Sequence, residues 1–188
     1  MADQLYLSYW LNGFSGHNML RHYEKMLRMF PFSRLAESGG VLRIIPVSYS
    51  EPALFEKVYP NPPDVGEVLA AAKDFQNPDT SYRFETAWDL WQYDTDWEVR
   101  PSRVALCCLG PEFEPDQGEH LRIEFGIDTH FLPQPGLPDN VHMTQSNIKS
   151  LLKLVHDLDD GLAVKRRQLW TESGENFAEK LQVALVAG

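Results

Sequence analysis

Residues 81 to 131 constrain the fold more than any other part of the chain. They hold three strand-like runs, SYRFETAWDLWQY, EVRPSRVALCCL and EHLRIEFGIDTHF, separated by clusters of Asp, Pro and Gly. Side chains of period two stand on alternate faces of a strand, and short turn-rich connections suit antiparallel neighbours. The third run alternates without a break from His120 to Asp128. Its odd positions Leu121, Ile123, Phe125, Ile127 and Phe131 make an apolar face, which leaves His120, Arg122, Glu124, Gly126, Asp128 and His130 on the other. A bulge at Gly126 exchanges the faces beyond it, driving Asp128 inward and Ile127 outward. The pattern therefore predicts an unbulged strand to Phe131, with a bare patch at Gly126 over which a Trp from residues 88 to 97 lies.

Before this meander, QLYLSYWL (residues 4 to 11) reads as a strand covered on both faces. Met19, Leu20, Tyr23, Met26, Leu27 and Phe30 follow at helical spacing, with Ser15 as the predicted N-cap and Pro31 as the stop. VLRIIPVSY (41 to 49) is β-rich, but Pro46 removes a ladder donor and marks it as an edge strand. PPDVGEVLAAAKDFQNP predicts a second helix. After the meander, Ile148, Leu151, Leu152 and Val155 make the stripe of a third. Ser173 is the predicted cap of a last helix, GENFAEKLQVALVA, whose final turn is apolar nearly all round. The order βαβα, βββ, αα predicts a single α+β domain over 1–188, in two layers. Its sheet is antiparallel or mixed, of about five strands, with helices mainly on one face.

A formal net charge of -10 disfavours nucleic acid and anionic membranes as partners, since both attract Lys and Arg. The basic run Lys165 to Arg167 reads as a solvated segment. Adjacent Cys107 and Cys108 fit no zinc spacing and no ordinary disulfide, so they read as reduced filler of a buried strand. With no secretion-like start and no bilayer-length apolar run, the expected compartment is the cytoplasm.

Three places carry candidate chemistry. His120 and His130 lie roughly 33 Å apart at strand spacing and cannot share a site, so only local subsets can act together, and the best of them is Asp128 with His130. They are candidate ligands for a divalent metal, which requires a third donor from a neighbouring strand or loop. Around the next turn, Asp94 and Asp96 stand among Trp88, Trp91 and Trp97, where rings beside carboxylates can hold a cation, a basic peptide or a sugar. The turn NGFSGHNMLR offers a weak anion site at Ser15 to Arg21. On balance the sequence reads as a non-catalytic binding or interaction module without a cofactor. It presents the polar sheet face (Arg122, Glu124, Asp128, His130) and the Trp/Asp hairpin to a protein partner or a second copy, in preference to a small molecule. The alternative is a metal-dependent hydrolase ligating its ion through Asp128 and His130.

Overall fold

Alternation builds strands where it is strictest, and the computed structural model, which describes residues 2–114, 118–174 and 177–186, shows how they join. The strands are β1 (Gln4–Leu11), β2 (Ser38–Pro46), β3 (Phe55–Pro60), β4 (Thr80–Tyr93), β5 (Trp97–Leu109), β6 (Leu121–Ile127) and β7 (Val164–Thr171). The helices are α1 (Met19–Met29), α2 (Val65–Lys73), α3 (Asn140–Gly161) and α4 (Phe177–Val186), with a 3-10 turn at Asp128–Phe131. One sheet runs in the order β3-β2-β4-β5-β6-β1-β7, and every described pairing is antiparallel. The α+β class therefore stands, but the sheet has seven strands where the sequence predicts about five.

The two unforeseen strands, β3 and β7, are the sheet's edges. An edge strand pairs on one side only and needs little apolar content, so FEKVYP and VKRRQLWT carry weak alternation. The basic run is thus an exposed strand, its cations guarding an open edge. β2, predicted as an edge, lies inside the sheet between β3 and β4, and Pro46 is tolerated because it is the strand's last residue.

Register explains the core. Leu42, Phe84, Leu106, Ile123, Leu7 and Leu169 stand side by side across β2, β4, β5, β6, β1 and β7. They meet Met19, Tyr23, Val68, Leu69, Ile148, Leu151, Phe177 and Leu181 of the four helices in one apolar cluster. The helices accordingly cover a single face of the sheet. At the start of α1 the cap is Asn18, not Ser15: its amide accepts the Ser15 N–H at 2.8 Å and donates to Gly13 O at 2.7 Å. The proposed anion turn is thus closed on itself. Asp64 caps α2 by accepting the Glu67 N–H. The predicted start of the last helix at residues 175 and 176 lies outside the described residues. Its final turn leaves Val183 and Val186 exposed. Among the described residues no helix is long and apolar enough to cross a membrane.

β6 departs from prediction at Gly126. Leu5 pairs with Gly126 and Tyr6 with Glu124, so Phe125 is the extra residue of a bulge, and Gly126 takes a φ of +78° that favours glycine. The faces exchange as parity requires: Ile127 is 38% exposed and Asp128 3%. The exchange is tolerated because the strand ends there, and the 3-10 turn returns Phe131 to the core. No Trp covers the gap; the nearest atom to a Cβ built there is Arg103 O at 3.8 Å.

His120 joins three strands. Its N–H donates to Tyr9 O, its carbonyl accepts the Leu109 N–H, and its Nδ1 accepts the Leu11 N–H at 2.8 Å. Its ring stacks on Phe14 at 4.1 Å. Burial first, then the charges of His22 and Lys165, depress its pKa; burial and nearby cations also depress that of His22, and burial alone that of His130. With folded pKa values below 6.5, these groups stabilise the fold fully above pH 6.5 and lose that contribution as pH falls through their folded values. Thermal unfolding should therefore show stability declining below pH 6.5, before the carboxylate range is reached. His120→Asn, which keeps an acceptor near Leu11 without titrating, should flatten the decline, and an unchanged slope would show that His120 plays no part in it.

Candidate functional site

The face without helices carries two interlocked rows of side chains. In one, Glu56, Arg43, Arg83, Cys107, Arg122, Ser8 and Gln168 stand opposite one another from β3 to β7. In the next, Val58, Val41, Glu85, Ala105, Glu124, Tyr6 and Trp170 do the same. Arginines of the first row thus lie diagonally beside glutamates of the second. Arg83 holds Glu124 with two nitrogens at 2.8 and 3.1 Å and reaches Glu85 at 3.0 Å. Arg43 bonds Glu85 at 2.6 Å, and Arg122 bonds Glu124 at 3.2 Å and Glu119 at 2.9 Å. Glu119 in turn accepts from the buried Ser8 hydroxyl, whose oxygen accepts the Trp170 indole N–H.

This lattice fixes its own protonation. Burial pushes the Glu124 carboxyl upward, but hydrogen bonds from Arg83 and the charges of Arg83 and Arg122 win and hold it below its ordinary value. Burial also works against the Arg83 charge, yet its hydrogen bonds to Glu124 lead the interactions that raise it above the usual arginine range. The Cys107 thiol is pushed up to about 12, mainly by burial and then by Glu124. It is therefore a thiol at neutral pH and no nucleophile. Fixed donors and acceptors suit recognition better than proton transfer.

One end of the face is capped. Tyr49 accepts from Arg122 at 3.0 Å and meets Phe113 edge-on at 5.0 Å, while the Tyr49 N–H donates to Glu114. The other end is open, forming a trough of about 770 Å³. Its floor is low because Gly40, Ala87, Ala105 and Gly126 occupy it, and Arg43, Arg83, Glu85, Glu124 and Arg103 stand around it. Arg103 is exposed and its guanidinium has no ion-pair or hydrogen-bond partner among the described residues.

The residues singled out by sequence separate into different places. Arg122 and Glu124 belong to the lattice. Trp88 does not reach any site: it is 2% exposed, packed against Phe30, Phe125 and Phe131. Trp91, Trp97 and His130, from two separate candidates, meet around a smaller cavity. Asp94 and Asp96 are exposed on the β4–β5 turn, Asp94 lying 3.7 Å from Arg100. Asp128 is not on the polar face; its carboxylate accepts the Asp3 N–H at 3.1 Å and its N–H donates to Asp3 O. Among the described residues no three His, Cys, Asp or Glu side chains converge to hold a metal ion, and none of them adds a third such donor to Asp128 and His130.

Sequence reasoning missed Arg43, Arg83, Glu85 and Arg103. A signal was present, because YRFET and LRIEF both carry Arg-x-Glu, which places both charges on one face of each strand. No protein-family model, curated protein or solved structure matches the chain. The site is read from its own geometry.

Proposed function

We propose that the protein is a binding module without catalysis of its own, and that the open trough receives an acidic, extended segment of a protein partner. The observation that carries this reading is Arg103, an uncommitted guanidinium at the rim of the trough that Arg43 and Arg83 also line. On a chain of net charge -10 most of the surface repels an anion, whereas the trough is balanced, with Arg43, Arg83 and Arg103 against Glu37, Glu85 and Glu124. The Arg103 guanidinium has no ion pair among the described residues. The trough runs from β2 to β1 across β4, β5 and β6, about 19 Å at ~4.8 Å per strand, the reach of roughly six extended residues. A segment fits that shape better than a compact small molecule does.

Fluorescence anisotropy with a labelled Asp/Glu-rich hexapeptide library, set against a Lys/Arg-rich one, tests the reading. Acidic peptides should bind in a salt-sensitive manner. Arg103→Glu and Ala87→Leu, the latter filling the floor, should each weaken binding at least tenfold, about 1.4 kcal/mol, without lowering Tm. Binding of the basic library alone, or acidic binding indifferent to both variants, would overturn the proposal.

A further inference from the structure

A second cavity, of about 200 Å³, lies where the β4–β5 hairpin meets the 3-10 turn and the start of α3. It is separate from the trough and has a different chemistry. Aromatic Trp91, Tyr93 and Trp97 line it together with the hydrogen-bonding residues Thr129, His130 and Gln134, and no Asp, Glu, Lys or Arg does. Asp94 and Asp96, the carboxylates expected to serve these rings, are exposed on the turn and do not line it.

The walls are held before any ligand arrives. Buried Asn147 accepts the Trp91 N–H at 2.9 Å and donates to Trp91 O at 2.9 Å and His130 O at 2.8 Å, tying the strand to the 3-10 turn. Trp97 donates its indole N–H to Pro138 O, and its ring meets Tyr93 edge-on at 5.4 Å. The His130 imidazole, by contrast, has no hydrogen-bond partner among the described residues. A neutral imidazole offers one donor and one acceptor, the complement of a hydroxyl group.

From these observations we infer that the cavity binds a single neutral sugar ring, with its apolar face against the aromatic residues and its hydroxyls on His130, Gln134 and Thr129. Size and charge select this class. The volume equals roughly six or seven waters at ~30 Å³ each, below the 300–1,000 Å³ range of drug-sized sites, which excludes a nucleotide or an oligosaccharide held along its length. Aromatic rings alone can hold an ammonium group, but the hydrogen-bonding side chains set beside them, His130, Gln134 and Thr129, match hydroxyls. Burial lowers the pKa of His130, which favours the neutral imidazole that can both donate to and accept from a hydroxyl.

Tryptophan fluorescence with a panel of free hexoses, N-acetylhexosamines and their methyl glycosides, and with choline as the cationic comparator, tests the site. At least one sugar should shift the emission saturably at millimolar concentration. Trp97→Ala and His130→Ala should each weaken that binding at least tenfold, and Trp97→Phe, which keeps a ring, should retain most of it. Melting curves of the variants separate lost binding from lost folding. A methyl glycoside that binds as well as the free sugar assigns the site to a glycan end, and one that fails assigns it to a free reducing sugar. Response to choline alone, no response to any sugar, or sugar binding unchanged in folded Trp97→Ala and His130→Ala would overturn the inference.

Discussion

Arg122→Met should destabilise the fold by about 3 to 5 kcal/mol, the range for removing one partner of a buried ion pair. The reason is the position of Arg122, whose side chain is 11% exposed and serves two carboxylates, Glu119 at 6% and Glu124 at 20%. Methionine fills much of the same volume, so the loss reports charge and hydrogen bonding more than a cavity. Glu124 keeps Arg83 as a partner, whereas Glu119 is left with the Ser8 hydroxyl among the described residues. Glu119→Gln added to Arg122→Met should therefore recover a good part of the loss, because the amide still accepts from Ser8 and no buried charge remains. Urea unfolding of the wild type, both single variants and the double variant completes the cycle. Strictly additive effects would mean that Arg122 and Glu119 stabilise the fold independently.

That cycle bears on why the lattice exists. Ion pairs on a sheet face contribute little when exposed, and buried ones seldom outdo well-packed apolar residues. An apolar replacement across all these positions would, however, turn the uncovered face into a large hydrophobic patch, which invites association. The alternating arginines and glutamates keep the face polar and rigid while leaving Arg103 uncommitted at its rim. Rigidity at the lattice and availability at the rim are what a recognition surface requires.

The same contrast shows which parts of the molecule were legible in sequence. Period two marked β1, β4, β5 and β6, because each buries a complete apolar row against helices whose own stripes are clear. β3 and β7 were not visible, since an edge strand satisfies half its ladder with water and Lys165, Arg166 and Arg167 on β7 resemble a loop. At Gly126 the bulge turns Ile127 outward and Asp128 inward as parity requires, at a lower cost than alternation implies because the strand ends at Ile127. The lattice was half legible. Arg122 and Glu124 lie in one run with Glu119 and can be read together, whereas their partners Arg83 and Cys107 depend on which strand lies next and in what register. Alternation says which side a residue faces; only pairing says what it faces.

Asn147→Ala should be the most damaging single change near the aromatic cavity, and it tests whether the hairpin and α3 behave as one unit. Asn147 is 2% exposed, and its side chain satisfies the Trp91 N–H, Trp91 O and His130 O. Removing it leaves one donor and two acceptors of the backbone without partners, each costing about 1 to 3 kcal/mol if it stays dry. Water entering the vacated space offsets part of that, so a net loss of about 3 kcal/mol is expected. For a chain of this size that lowers Tm by roughly 6 to 12 °C. Asn147→Asp discriminates further, because it keeps an acceptor for the Trp91 N–H but sets a carboxylate against two carbonyl oxygens. It should be at least as destabilising as alanine, even though it is nearly isosteric. The readout is local as well as global: the Trp91 amide should exchange its hydrogen faster in both variants, and any ligand of the cavity should bind more weakly, since His130 and Trp91 lose their common tether. A loss below about 1 kcal/mol with unchanged Trp91 exchange would show that packing of Trp88 and Phe131 beneath the hairpin, and not Asn147, holds the cavity in shape.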